Sequence, residues 1–155
     1  MMSNKRIVYQ GEDGIAKIVI PTQEYNGTME DLLNEVVPEN CEDSANIVEV
    51  DTVPSDRTFR NAWVTSKGKS VEVDLDKSKE EAKIKVRQAR VPKFAELDVA
   101  YQRADEAGDA DAKKAVADKK KVARDSTTDT KITDADSVAN LKTGMEAVIK
   151  IVGDL

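Results

Sequence analysis

The hydrophobic period changes once along the chain, near Asp76, and that change limits what the chain can build. Before it, apolar residues alternate or run in short β-branched blocks, as strands do. After it, they step by three and four, as amphipathic helices do. The pattern predicts an α+β fold: residues 1–75 form a small acidic β-rich module with one short helix, and residues 76–155 form a helical region. A length of 155 residues suits one domain or two small ones. The aromatic residues are Trp63, Tyr9, Tyr25, Tyr101, Phe59 and Phe94. So few rings cannot fill a large core, and an elongated or two-part molecule is expected.

In the first module, Lys5–Gln10 and Ile15–Ile20 read as the strands of a hairpin around the turn Gly11-Glu12-Asp13-Gly14. Pro21 ends the second strand, because it has no N–H to donate. Thr28-Met29-Glu30-Asp31 has the form of a capping box and opens a short helix with Met29, Leu32, Leu33 and Val36 on one face. Asn46–Val50 reads as a further strand and Val71–Leu75 as an exposed one. Phe59 and Trp63 share a face whether their segment is helical or extended, so they are the aromatic anchor of the module. They serve its core, with a shared contact to a partner as the other reading.

The second half reads as an αα-hairpin over about residues 78–125 and a C-terminal helix over about 134–152. Ser78-Lys79-Glu80-Glu81 opens the first arm as a capping box, and Pro92 bends it. Its apolar positions are Ile84, Ala89, Val91, Phe94, Leu97, Tyr101 and Ala104. Gly108-Asp109 supplies a C′ glycine and a new N-cap. The return arm, Ala110–Asp125, turns Ala112, Ala115, Val116, Lys119, Val122 and Ala123 inward. Thr133–Asp136 starts the last helix. Its stripe of Val138, Leu141, Met145, Val148, Ile149 and Val152 is about 21 Å long at 1.5 Å per residue. The stripe packs either on its own hairpin or on another chain; an alanine-rich hairpin offers only a shallow groove, so docking on another chain is the expected outcome.

Composition excludes several classes of function. The chain lacks histidine, the commonest general base and metal ligand. A single cysteine, Cys41, allows neither an intrachain disulfide nor a cysteine zinc site. Glu39, Glu42 and Asp43 surround it and disfavour a thiolate, which makes it an inert thiol. Asp74/Asp76, Asp109/Asp111 and Asp134/Asp136 sit at expected helix starts, where acids cap free N–H groups. No glycine-rich phosphate loop is present. Residues 1–64 hold 5 Lys/Arg against 12 Asp/Glu, a balance of −7, and residues 65–155 hold 19 against 18. The acidic surface repels phosphate backbones, so nucleic acid is not an expected partner. The basic run Lys113, Lys114, Lys119, Lys120 and Lys121 alternates with acids, as on a solvated helix face. No apolar run spans a membrane, and Met1–Lys5 lacks the apolar stretch of a signal peptide. These features point to an intracellularly made interaction protein without enzymatic activity or cofactor.

One stretch is more specific. Val53-Pro54-Ser55-Asp56-Arg57-Thr58-Phe59-Arg60-Asn61-Ala62-Trp63 resembles a signature of small proteins from tailed bacteriophages. Those proteins open with an Arg/Lys-Ile-Val-Tyr-Gln strand, as Arg6–Gln10 does here, about fifty residues before the signature. Lys85–Pro92, Leu97–Asp109 and Ala123–Thr127 also resemble their helical part, so the likeness runs from Arg6 to Thr130. The helical half is similar to tail-fibre assembly chaperones. Family members stop after a short helix, whereas Val138–Leu155 is longer and more apolar.

The resemblance implies a non-enzymatic phage tail protein that binds the tail fibre, as assembly chaperone or retained subunit. The alternative is a permanent structural component of the virion tail or baseplate away from the fibre. It carries over no catalytic, cofactor-binding or metal-binding residue. Its place is the host cytoplasm during assembly, and the virion tail if it is retained. Phe59, Trp63, Leu141, Met145, Val148, Ile149 and Val152 are the expected partner-binding residues, toward a tail protein or a second copy of the chain.

Overall fold

The computed structural model describes residues 4–155. They fall into two compact units, one closing at Lys77 and the other spanning Ser78–Leu155. The fold is α+β, a small antiparallel sheet region followed by long helices.

The first unit is built around one strand. β1 (Lys5–Gln10) lies between β2 (Ala16–Val19) and β3 (Asn46–Glu49), antiparallel to both. Ile7 pairs with Val19 and with Ile47, while Val8 pairs with Ile18 and with Asn46. Successive strand residues point to opposite faces, and both Ile7 and Val8 are fully buried. Both faces of the sheet are therefore covered. Ile7 packs with Met29, Leu32, Val37 and Cys41, and Val8 packs with Ala16, Trp63 and Val71.

Helix α1 (Met29–Val36) supplies the first cover, and its start follows the sequence closely. The Asp31 N–H donates to Thr28 Oγ1 at 3.0 Å, and the Thr28 N–H donates to Asp31 Oδ2 at 2.9 Å. The second cover is the short ladder of β4 (Trp63–Val64) and β5 (Glu72–Val73). The Phe59–Trp63 segment is neither a full helix nor a strand: a turn leads through one 3₁₀ turn, Arg60–Ala62, into β4.

The second unit is helical. α2 (Leu75–Glu106) continues through Pro92, and α3 (Ala110–Asp125) follows it. Gly108, at φ +66°, makes the turn in the left-handed region that favours glycine. Asp109 then caps α3 by accepting from the Ala112 N–H at 2.9 Å. Three contacts fix the hairpin register: Lys113 Nζ with Asp105, Lys120 Nζ with Asp98 at 2.6 Å, and Arg90 Nη1 with the Ala123 and Arg124 carbonyls at 3.1 and 2.8 Å. As one partner's number rises the other's falls, as in an antiparallel pair.

Several expectations change. α2 starts at Leu75, where Asp74 accepts from the Lys77 N–H at 2.8 Å, so Ser78 is no cap but a fully buried residue inside the helix. The buried stripe of α2 is Ser78, Ala82, Val86, Leu97 and Ala104. Ile84 and Val91 are 50% and 66% exposed, on the opposite side. Of the expected inward residues of α3, Ala112, Val116 and Ala123 are at least half-buried, Ala115 is exposed, and Lys113, Ala117 and Lys120 join the inward line. Val122 and Lys119 face solvent, whereas the Lys120 and Lys113 ammoniums lie 4.8 and 5.3 Å from the Tyr101 ring centroid. Long lysine stems cover apolar surface while their charged ends stay wet, which is why part of the basic run faces inward.

The Ser126–Thr130 loop is ordered into a 3₁₀ turn and leads into the one-turn helix α4 (Thr130–Thr133), capped by Asp129. Ile132 of α4 is fully buried. α5 (Val138–Gly153) starts later than expected, with Ser137 rather than the Thr133–Asp136 segment as its cap. No helix among the described residues is long and apolar enough to cross a membrane.

α4 sits against α5 at Gly144, where an added β-carbon would overlap the Lys131 carbonyl oxygen. Glycine usually costs a helix about 1 kcal/mol relative to alanine, but here it permits contact between backbones. Gly144→Ala should therefore destabilise the protein by about 1–3 kcal/mol, the usual cost of overpacking. Denaturant unfolding followed by far-UV circular dichroism checks this. An increase in stability would show that the close approach is dispensable.

Candidate interaction surfaces

The expected partner-binding residues fall into two buried groups. In the first unit, Phe59 and Trp63 are 2% and 1% exposed. Arg60 lies over the Trp63 ring at 4.5 Å and its Nη2 donates to the Ala16 carbonyl at 2.9 Å. Arg57 approaches the same ring at 5.9 Å. Burial first, and then the Arg57 charge beside it, push the Arg60 guanidinium below its ordinary pKa, while Asp13 opposes this. Arg60 Nη1 and Trp63 Nε1 are buried without a hydrogen-bond partner. The aromatic pair is thus the centre of a core capped by two arginines, and it presents no ring to the outside.

The second group is the α5 stripe. Leu141, Val148 and Val152 are at most 1% exposed, Met145 is 5% exposed, and Ile149 is half-buried. The stripe expected to dock on another chain is covered by the chain's own residues. Gly144 meets Lys131 of α4, and Val148 shares a small cleft of about 250 Å³ with Val122 and Ser126. The hairpin is no obstacle, because α3 is only 16 residues long and pairs with the C-terminal part of α2. The first turns of α2 lie beside the α4–α5 connection: Lys79 Nζ donates to the Thr133 carbonyl at 2.8 Å. An aspartate at Leu141 would bury a charge and unfold the unit rather than release a partner.

The remaining candidates resolve into local roles. Asp74 and Asp109 cap helices. Asp136 instead accepts from the Asn140 side chain at 2.7 Å, and this bond leads the causes that hold its carboxyl below the usual range. No group of three or more cysteine or acidic residues among the described residues could hold a metal ion. Cys41 is buried in the Ile7 cluster. An open cleft of about 510 Å³ lies between α4 and α5, lined by short polar residues such as Thr130, Asn140 and Thr143.

What sequence reasoning missed is the outward side of α2. Ile84, Gln88, Val91, Ala95, Val99 and Gln102 are all exposed and lie opposite the buried stripe. The signal is present in the sequence as steps of three and four without a charged residue; the expected apolar stripe includes only Ile84 and Val91 of this face.

Comparison with known proteins matches the chain to no family model, no curated protein and no solved structure.

The two arginines at Trp63 differ in what they hold. Arg60→Ala removes a charged hydrogen bond and the closer ring contact, and should cost about 2 kcal/mol. Arg57→Ala removes an exposed, longer contact and should cost less than about 1 kcal/mol. Denaturant unfolding followed by the fluorescence of the sole tryptophan separates them, and equal losses would refute the assignment.

Proposed function

We propose that this chain is a non-catalytic protein of a bacteriophage tail that binds the tail fibre, as an assembly chaperone or a retained fibre-associated subunit. One observation supports the reading above others. The two segments that carry the phage resemblance, Arg6–Gln10 and Val53–Trp63, lie far apart in sequence but join in one core. Val8 and Trp63 share a cluster, and Gln10 Oε1 accepts from the Thr65 N–H at 2.9 Å, just beyond the signature. A signature of this kind is then a folding element: Trp63 fills the far side of β1, and Arg60 ties it to β2 through the Ala16 carbonyl. Its residues hold the scaffold, and partner contact falls to exposed helix surface. On this reading the protein acts in the host cytoplasm while tails assemble.

The test is co-purification of the tagged full chain with the tail-fibre protein of the same phage, together with mass spectrometry of purified particles. Fibre binding without the chain in particles identifies a chaperone, and stoichiometric presence on fibre-bearing particles identifies a retained subunit. Presence in particles without fibre binding supports a tail or baseplate component elsewhere. Absence from both overturns the phage tail reading.

A further inference from the structure

We infer that Asn26 is a self-modification site, at which the chain's own backbone converts the side-chain amide into aspartate and isoaspartate. The inference rests on the loop before α1 and does not need the tail reading. Asn26 is the asparagine of this chain that glycine follows. The reaction starts when the backbone nitrogen of the next residue attacks the asparagine Cγ. Glycine has no β-carbon to hinder that attack, and it reaches backbone conformations that other residues avoid. Asn26 is exposed and lies outside helix and strand. Neither its side chain nor the Gly27 N–H makes a hydrogen bond among the described residues. The step needs no reagent but water. The Gly27 nitrogen gives up its proton and bonds to Cγ, the Asn26 amide leaves as ammonia, and a succinimide ring closes. Water then opens the ring. Opening at Cγ leaves aspartate, and opening at the α-carbonyl leaves isoaspartate, with the main chain routed through Cβ and Cγ.

Other candidates each lack a condition. Asn46 has its amide held at both ends: Nδ2 donates to the Ser44 and Ser66 carbonyls at 2.9 and 2.8 Å, and Oδ1 accepts from the Gly68 N–H at 2.6 Å. Asn34 and Asn140 lie inside α1 and α5. Asp13-Gly14 is the aspartate counterpart, and its carboxyl must be neutral to leave as water. Lys17 Nζ donates to it at 2.5 Å and holds it below the usual carboxylate range, while the Gly14 N–H is already given to the Gly11 carbonyl at 3.0 Å. Asn26 also sits where main-chain length matters. Tyr25 packs against the Ile7 cluster, and Met29 belongs to it, so Asn26-Gly27-Thr28 spans two anchors. Isoaspartate adds a methylene to that span and displaces Thr28, whose N–H and Oγ1 donate to Asp31 Oδ2 at 2.9 and 2.7 Å. Aspartate adds the same charge without the extra length.

Ageing the full chain at neutral and mildly alkaline pH, then cleaving after glutamate, tests the site by mass spectrometry. Cleavage releases Tyr25–Glu30, in which Asn26 is the sole asparagine. Asn26 should convert at least about tenfold faster than any other asparagine, a barrier lower by about 1.4 kcal/mol. The rate should rise with pH, because the attacking nitrogen must shed its proton. Asn26→Gln, whose longer side chain must close a larger ring, should abolish both the conversion and the labelling of aged protein by an isoaspartate methyltransferase. Asn61, exposed and followed by alanine, is the matched comparison. Conversion of Asn26 no faster than that of Asn61, or conversion led by Asp13, would overturn the proposal. The isoaspartate form, separated from the rest, should unfold at a lower denaturant concentration than freshly made Asn26→Asp. Equal midpoints would overturn the claim that the modification acts through the length of the span.

Discussion

Close approach through small residues carries the second unit. With so few rings in the chain, the helices cannot be held apart by large side chains and still exclude water. Ser78, Ala82, Ala104, Ala123 and Gly144 are buried there beside the aliphatic residues Val86, Leu97, Ile132, Leu141, Val148 and Val152. Gly144 shows the limit of this strategy, since the α4 carbonyl at Lys131 occupies the space a methyl group would need. A core of this kind gains less from each buried side chain than a leucine core does. It recovers part of that from dispersion between atoms at short range and from caps and side-chain bonds to backbone. Arg90 reaching the Ala123 and Arg124 carbonyls, and Lys79 reaching Thr133, are such bonds.

What was legible in the sequence is what short-range physics decides. The Thr28–Asp31 box, the Gly108 turn, the Asp109 cap and the strands at 5–10 and 46–49 depend on a few neighbouring residues. They were readable because nothing distant had to be known. The start of α2 was misplaced because Asp74 and Ser78 both suit a cap, and only burial of Ser78 decides between them. The faces of α2 and α3 were legible in part: Leu97, Ala104, Val116 and Ala123 lie inward as expected, while Ile84, Val91, Ala115 and Val122 are exposed. Spacing alone gives a face for each helix, but which side of a long helix meets its neighbours depends on where those neighbours lie. Ile84 and Val91 lie outside, while Ala82, Val86 and Leu97 lie within, so it is position around the helix and not size that decides.

The candidate site was less legible than the fold. Phe59 and Trp63 were identified as an anchor, and they are one, but for the molecule's own core. The sequence could not show that Arg57 and Arg60 close over the ring, because a cation over an aromatic face needs the turn at 58–62 to bring it there. Nor could it show that α5 finds cover within its own unit. That depends on α3 being half the length of α2, so that the first turns of α2 are free to meet the segment between α4 and α5.

Charge placement then decides which surface is left for a partner. Lys113 and Lys120 of the basic run are engaged with Asp105, Asp98 and Tyr101, and Lys114 and Lys121 pair along α3 with Asp118 and Asp125. Little of that run remains as a patch for an acidic partner. The α5 stripe is closed, and the tryptophan is capped. The outer side of α2 carries the exposed aliphatic residues Ile84, Val91 and Val99. The chain buries its most apolar helix and leaves one side of its longest helix outside the core. The outward residues of that helix, such as Ile84 and Val91, make no part of its buried stripe of Ser78, Ala82 and Val86, so the core sets one side of the helix and leaves the other side free to vary.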